Sequence, residues 1–245
     1  MAANVNAPTT PRVRSAPQRR GRSQTPPDNG RRKLYPLVLL TILSLPTPTS
    51  AAEVTGRVVG PNGEGIAQAV VFVQALPAGA SLPSDKRPAI MDQINKTFVP
   101  AVLPIVVGTE VRFPNHDQIH HHVYSFSRTK SFELPLYKGE EAPPVLFDKA
   151  GAVKIGCNIH DWMSGVILVL PTPYFALTDE TGRFILRDLP AGTYPLACWH
   201  ELSQVKVEET VQQVRADENA GAVTFTLSLT APRSRPSLYG GRGYQ

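Results

Sequence analysis

The chain has 245 residues, enough for one large or two small domains, and its 42% hydrophobic residues exclude a chain that is disordered throughout. Its 24 prolines and 18 glycines argue against an architecture of long helices. The net charge of +5 comes from the amino-terminal segment, because the first 33 residues hold eight Lys and Arg against one acid. The remainder has 17 basic and 19 acidic residues, so a nucleic-acid-binding surface is not indicated for the folded part.

Residues 1–52 have the three parts of a secretory signal peptide. The basic stretch ends at Lys33, an apolar run spans 37–45, and the small residues Ser50-Ala51-Ala52 suit a cleavage site. The run is shorter than the roughly 20 residues that span a bilayer. We therefore predict a leader over 1–52, with an uncleaved anchor as the alternative. The mature body is expected to be periplasmic or otherwise exported and to have no membrane span.

The residues after the leader predict short strands and turns, with no long stretch of helical periodicity, so the fold class is all-β, a sandwich or barrel. Residues 76–88 are rich in Pro, Ala, Gly and Ser and predict a linker, and 232–245 predict an unfolded tail. The predicted strands are Val54–Val59, Ala69–Gln74, a strand near Phe98, 106–107, 111–113, His121–Phe126, Val153–Cys157, Val166–Leu170, Phe175–Leu177, Arg183–Leu186, Tyr194–Trp199, Gln204–Val207 and Val223–Leu229.

One short segment carries three metal-binding side chains at the spacing Cys157-x2-His160-x2-Met163. A thiolate, an imidazole and a thioether are ligands that suit copper in both of its oxidation states. A site of two His and one Cys with a weak axial Met needs one more nitrogen. The upstream segment 115–125 offers four candidates, which are His116, His120, His121 and His122.

Strand alternation indicates which of these side chains face the interior. Cys157 shares a strand face with Val153 and Ile155, so its sulfur is expected to be buried. His121 shares a face with Val123, while its two histidine neighbours point to the other face. A strand ligand and a loop that holds the others would together close around one metal ion.

These segments resemble the cupredoxins, the small blue-copper proteins. The matching pieces are 106–115, His121-His122-Val123, and 147–151 leading into Cys157-x2-His160-x2-Met163, and the resemblance covers 91–170. It implies a Greek-key β-sandwich with one type 1 copper ion and an electron port at the loop His. Carried over by position, the implied ligands are His121, Cys157, His160 and Met163. Cupredoxins often have Asn after the first His ligand, and His122 stands there, so His120 and the more distant His116 remain alternatives to His121.

The flanking segments resemble the two halves of a carboxypeptidase regulatory-like domain, a small prealbumin-like β-sandwich. The first half matches over 54–73 and the second over 178–194. The implied organisation is a cupredoxin domain at 89–170 inserted between halves at 53–88 and 171–231, and the alternative is two unrelated β segments. Cys198 and His200 are interpreted as structural, although a Cys157–Cys198 disulfide is an alternative in an oxidising compartment.

The resemblance implies an exported carrier of single electrons between redox partner proteins that the sequence does not identify. It implies no enzyme, because an oxidase or nitrite reductase needs further copper centres that six histidines hardly supply. One alternative is a protein of copper storage, delivery or sensing. Another is a metal-free module that binds carbohydrate or protein through its sandwiches.

Overall fold

Strands account for nearly all of the regular structure. A computed structural model describes residues 51–77, 88–139, 142–217 and 221–231. Within these ranges the one helix is a short 3-10 turn, Val207–Thr210, and no helix has the length and apolarity needed to cross a membrane. The predicted all-β class is confirmed.

The strands fall into three consecutive groups. The first group is β1 (Ala51–Val59) and β2 (Val70–Val73). The central group is β3 (Ala89–Ile90), β4 (Asp92–Ile94), β5 (Thr97–Val99), β6 (Val102–Val106), β7 (Thr109–Arg112), β8 (His121–Phe126), β9 (Ser131–Tyr137), β10 (Val145–Phe147), β11 (Gly151–Gly156) and β12 (Ser164–Leu170). The last group is β13 (Phe175–Leu177), β14 (Arg183–Pro190), β15 (Gly192–Trp199), β16 (Gln212–Ala216) and β17 (Val223–Thr226).

The first and last groups pair with each other. One sheet has the order β14-β1-β17 and the other has the order β13-β2-β15-β16. Alternate residues of the facing strands, such as Val58 on β1, Val71 on β2 and Leu196 on β15, are fully buried in one apolar core. Because the two sheets bury their apolar faces against each other, they form a β-sandwich, the first sandwich.

The central group builds a second sandwich from its own strands. A five-stranded sheet has the order β6-β12-β11-β8-β9, and a three-stranded sheet has the order β10-β7-β3. Their shared core includes Val111 on β7, Val123 on β8 and Ile167 on β12. The hairpin β4-β5 forms a separate two-stranded sheet.

A third apolar cluster joins the two sandwiches. Phe72 on β2 and Ala197 on β15 pack in it with Leu168 and Leu170 on β12. These residues alternate along their strands with those of the two sandwich cores. The sheets that contain β2 and β12 are therefore covered on both faces, which explains the uninterrupted apolar sequences of these two strands.

Several sequence predictions differ from the structure. The predicted strand Gln204–Val207 is wrong: Ser203 exchanges side-chain hydrogen bonds with the backbone of Val205, and this local bonding competes with strand pairing. β1 begins at Ala51, and the end of the leader at residue 52 stays a prediction. The rest of the leader, most of the linker (78–87) and the tail (232–245) lie outside the described residues.

Candidate metal centre

Cys157 enters the protein interior directly after β11. Val153 and Ile155 on that strand are buried, Lys154 between them is exposed, and Cys157 continues the buried face with 3% of its surface accessible. The predicted burial of this thiol is confirmed. The alternative of a disulfide is wrong, because Cys157 and Cys198 are both free.

The loop from Cys157 to Met163 connects β11 to β12, whose ends pair through Gly156 and Ser164. The backbone N–H of Cys157 donates to the Met163 carbonyl at 3.1 Å, which closes the loop across its two ends. Within it, the N–H of Met163 donates to the His160 carbonyl at 2.8 Å. The resulting tight turn brings the His160 ring back beside the thiol.

His121 opens β8 and is completely buried. Its Nδ1 atom lies 3.8 Å from the Sγ atom of Cys157, and the Nδ1 atom of His160 lies 3.7 Å from the same sulfur. The two imidazole rings have centroids 4.9 Å apart and are inclined by 61°. The three donor atoms all lie within 4.8 Å of one another and form the one such group among the described residues.

The two nitrogen–sulfur distances are those expected for a sulfur and a ring nitrogen that bind one metal ion. Bonds of about 2.0 Å to nitrogen and about 2.3 Å to sulfur, at an angle of about 120°, separate the donors by about 3.7 Å. The two observed nitrogen–sulfur distances, 3.7 and 3.8 Å, match this separation. Two imidazoles and a thiolate are also the donor set of blue-copper sites, so the residues fit a copper ion.

Met163 lies at the far end of the loop and has 2% of its surface accessible. It belongs to the same apolar core as Cys157. The structure thus brings this residue to the same end of the sandwich as the three donors. Its role as a fourth ligand stays a prediction.

The other upstream histidines lie outside the donor group. His120 is exposed. His116 has 60% of its side chain accessible, and its Nδ1 atom contacts the Asp92 carboxylate at 2.7 and 2.9 Å. His122 is buried, and its Nε2 atom lies 2.7 Å from Glu133 Oε1.

Asp117 contacts the far side of the His121 ring, and sequence reasoning did not select it. Its Oδ2 atom lies 2.8 Å from His121 Nε2, and the backbone N–H groups of Asn95 and Lys96 donate to its two oxygens. Burial acts to raise the pKa of Asp117, but these hydrogen bonds outweigh it, so the pKa lies below its usual value. The only sequence signal was an acidic residue four positions before His121 in a histidine-rich segment.

His160 lies where the site meets the surface. It is half-buried, and the Trp162 ring packs edge-on against it with centroids 5.5 Å apart. Trp162 and Ile159 beside it are 46% and 48% accessible. Burial, reinforced by the nearby His121 and Lys96, lowers the pKa of His160, which favours the neutral ring that metals bind.

Cys198 and His200 lie in the sandwich built by the first and last groups of strands, and their structural role stays a prediction. Cys198 is in the core of the first sandwich, where burial raises the pKa of its thiol to about 12. His200 accepts a hydrogen bond at Nδ1 from the backbone N–H of Leu202. Neither residue belongs to the donor group.

Three comparisons with known proteins bear on the chain. No protein-family model and no curated protein matches it. Among solved structures, it is similar to a purple cupredoxin from Nitrosopumilus maritimus, with 26% identity and a TM-score of 0.31 over 33% of this chain and 98% of that one. It is also similar to an oxidized mutant of amicyanin, with 24% identity and a TM-score of 0.31 over 34% of this chain and 81% of that one. A third similar structure is the copper-containing nitrite reductase of Thermus scotoductus SA-01, with 28% identity and a TM-score of 0.33 over 39% of this chain and 25% of that one.

Proposed function

We propose that the chain binds one copper ion, of type 1, and carries single electrons between redox partner proteins. The ligands would be His121, Cys157 and His160, with Met163 as a weak fourth. The observation that carries this proposal is the convergence of two Nδ1 atoms and one sulfur within 4.8 Å, from β8 and from a loop 36 residues further along the chain. The closest alternative is a copper storage, delivery or sensing protein with the same ligands.

Each residue of the site has a distinct task. Copper held there would supply a centre that alternates between Cu(I) and Cu(II). Cys157 offers the sulfur donor, and its burial keeps water and oxidants away from it. His121 and His160 offer nitrogen donors from positions fixed by the five-stranded sheet and by the loop closed between β11 and β12. A fixed set of donors keeps the rearrangement that accompanies electron transfer small.

Electrons would enter and leave through His160. It is the candidate ligand with the most accessible surroundings, since exposed Trp162 and Ile159 lie around it. A redox protein would therefore dock at this end of the second sandwich. We propose no enzymatic reaction, because the four-residue ligand set leaves no position for a substrate.

The rest of the chain fits an exported carrier. We propose that residues 1–52 direct export to the periplasm, and that 89–170 form a cupredoxin module inserted in a carboxypeptidase regulatory-like module made of 53–88 and 171–231. The proposal is supported by strand pairing, since β1 and β2 pair with strands that follow residue 170. Direct binding experiments would identify what this flanking module binds.

A copper titration of the purified chain tests the proposal. The expected result is an intense visible thiolate-to-copper band that saturates at one equivalent of Cu(II) and bleaches on reduction. Cys157→Ser should abolish the band, while Cys198→Ala, which removes the other buried free thiol, should retain it. A chain without the band, or with the same band in Cys157→Ser, would contradict the proposal.

Electron exchange separates the carrier from a copper-handling protein. A carrier should show rapid self-exchange between its oxidised and reduced forms and should retain copper in the presence of a competing chelator. Slow self-exchange together with ready copper transfer to another protein would favour storage or delivery.

A further inference from the structure

The hydrogen bond between Asp117 and His121 decides which nitrogen of that ring is available. A carboxylate only accepts hydrogen bonds, so the 2.8 Å contact requires the proton on Nε2 of His121. In a neutral ring with its proton on Nε2, the lone pair is on Nδ1, and this atom lies 3.8 Å from the sulfur of Cys157. Which nitrogen of a histidine binds a metal is set by the hydrogen bond that the other nitrogen makes.

The Asp117 carboxylate is itself held in place by the β4-β5 hairpin. The two residues of the hairpin turn, Asn95 and Lys96, both have left-handed backbone conformations, with φ of 54° and 56°. This turn directs their N–H groups at the two oxygens of Asp117, at 2.6 and 2.7 Å. The carboxylate therefore connects the hairpin turn to the His121 ring.

A buried amide fixes the backbone on either side of Asp117. Asn115 is 4% accessible, and its side-chain oxygen accepts from the Asp117 N–H at 3.0 Å. Its side-chain nitrogen donates to the carbonyls of Ile119 and Tyr137 at 2.9 and 3.0 Å. Asp117 thus reaches His121 from a segment with little freedom to move.

Resting on the copper site proposed above, we propose that Asp117 is a positioning residue that holds the His121 proton on Nε2 and keeps Nδ1 free for the metal. The charge of the carboxylate also makes the imidazole a stronger donor, which favours Cu(II) over Cu(I). The β4-β5 hairpin, through its turn, becomes part of the support of the metal site.

A second carboxylate–histidine pair provides a matched control. Glu133 contacts His122, the next residue along β8, at 2.7 Å. His122 does not belong to the donor group. Removal of the Glu133 carboxylate breaks the same kind of contact close to the site without touching His121.

The first measurement needs no metal and no variant. Long-range ¹H–¹⁵N NMR of the metal-free chain should show that the neutral His121 ring carries its single proton on Nε2. A ring with its single proton on Nδ1 would overturn the proposal. The position of this proton is measured without copper. A chain that binds no copper would therefore refute the proposed function, while the position of the His121 proton would still decide the role of Asp117.

The second measurement compares variants in the full chain. Asp117→Ala should redistribute the His121 proton between both nitrogens and weaken copper binding by about 10- to 100-fold, the usual effect of losing an outer partner of a histidine ligand. Asp117→Asn, which keeps one acceptor oxygen and loses the charge, should raise the reduction potential. Glu133→Ala should change neither property.

The result that contradicts the proposal is an Asp117→Asn variant with the wild-type potential and the wild-type copper affinity. A purely structural role predicts that outcome together with a lower unfolding midpoint. If Asp117→Ala fails to fold, the wild-type ring proton and the Asp117→Asn potential still decide the question.

Discussion

The three consecutive histidines at 120–122 have three different environments. His120 is exposed, His121 is fully buried with Nδ1 toward the Cys157 sulfur, and His122 is buried with its Nε2 atom on Glu133. The pairing of β8 with β9 shifts register between His121 and Val123, so His122 does not follow the simple alternation of the strand. One imidazole of the three therefore reaches the sulfur.

Replacing these histidines one at a time tests that assignment. His121→Ala should weaken copper binding by more than the about 10- to 100-fold expected for loss of an outer partner, because a direct ligand is removed. His120→Ala should leave the affinity unchanged, since its ring is exposed and outside the donor group. Competition titration against a chelator measures both. A larger loss in His120→Ala than in His121→Ala would move the ligand to residue 120.

At the scale of residues, the alternation of buried and exposed positions along a strand predicted the buried Cys157 thiol. It did not predict Asp117, which contacts His121. The parity of Cys157 with Val153 and Ile155 was enough to predict a buried thiol. Asp117 could not be found in this way, because the backbone N–H groups that hold its carboxylate belong to the β4-β5 turn, more than 20 residues earlier in the chain. Sequence patterns describe neighbours on one strand and not contacts between a loop and a distant turn.

Among the elements, β12 contributes to two apolar layers at once. Ile167 and Val169 point into the core of the second sandwich, and Leu168 and Leu170 point into the cluster shared with the first. β2 has the same arrangement on the other side of that cluster, with Val71 in its own core. These two strands therefore connect the packing of the two sandwiches.

Truncation of Leu168 tests how much the apolar cluster shared by the two sandwiches contributes to the free energy of unfolding. Leu168→Ala should lower the free energy of unfolding by about 2–5 kcal/mol, the usual effect of a cavity at a buried leucine. Leu146→Ala is the matched control, because this side chain on β10 is 44% accessible and should change stability by less than about 0.5 kcal/mol. Urea unfolding followed by tryptophan fluorescence measures both. Equal midpoints for the two variants would show that the cluster contributes little.

Strands with apolar sequences were predictable, and two strands with mostly polar or exposed residues were not. The prediction of His121–Phe126 and Phe175–Leu177 matches the observed bounds. β9 was missed because it contains Pro135 and mostly exposed residues, which only an edge strand tolerates. β16, with the sequence Gln-Gln-Val-Arg-Ala, is an edge strand of the same kind.

At the scale of the whole molecule, two half-buried imidazoles among the described residues have pKa values below the ordinary value. Burial lowers the pKa of His160, with added repulsion from His121 and Lys96, and burial also lowers the pKa of His200. The unfolded chain accepts protons on these rings near pH 6.5, before the folded chain does. Between that pH and the lower folded-state values, the unfolded state therefore binds more protons, and stability falls as the pH falls.

The expected outcome is a pH-dependent urea midpoint in the metal-free chain. The midpoint should decrease from pH 7.5 to pH 5.5, and the decrease should be smaller in a variant with both His160→Gln and His200→Gln. The comparison isolates these two rings from the other titrating groups. An equal decrease in the wild type and the double variant would contradict this explanation.

X-ray absorption at the copper edge of the loaded chain tests the ligand set most directly. The predicted spectrum has one sulfur and two imidazole nitrogens as the nearest atoms, and Cys157→Ser removes the sulfur. A copper ion surrounded only by nitrogen and oxygen atoms, with the spectrum unaltered in Cys157→Ser, would contradict a metal centre made by His121, Cys157 and His160.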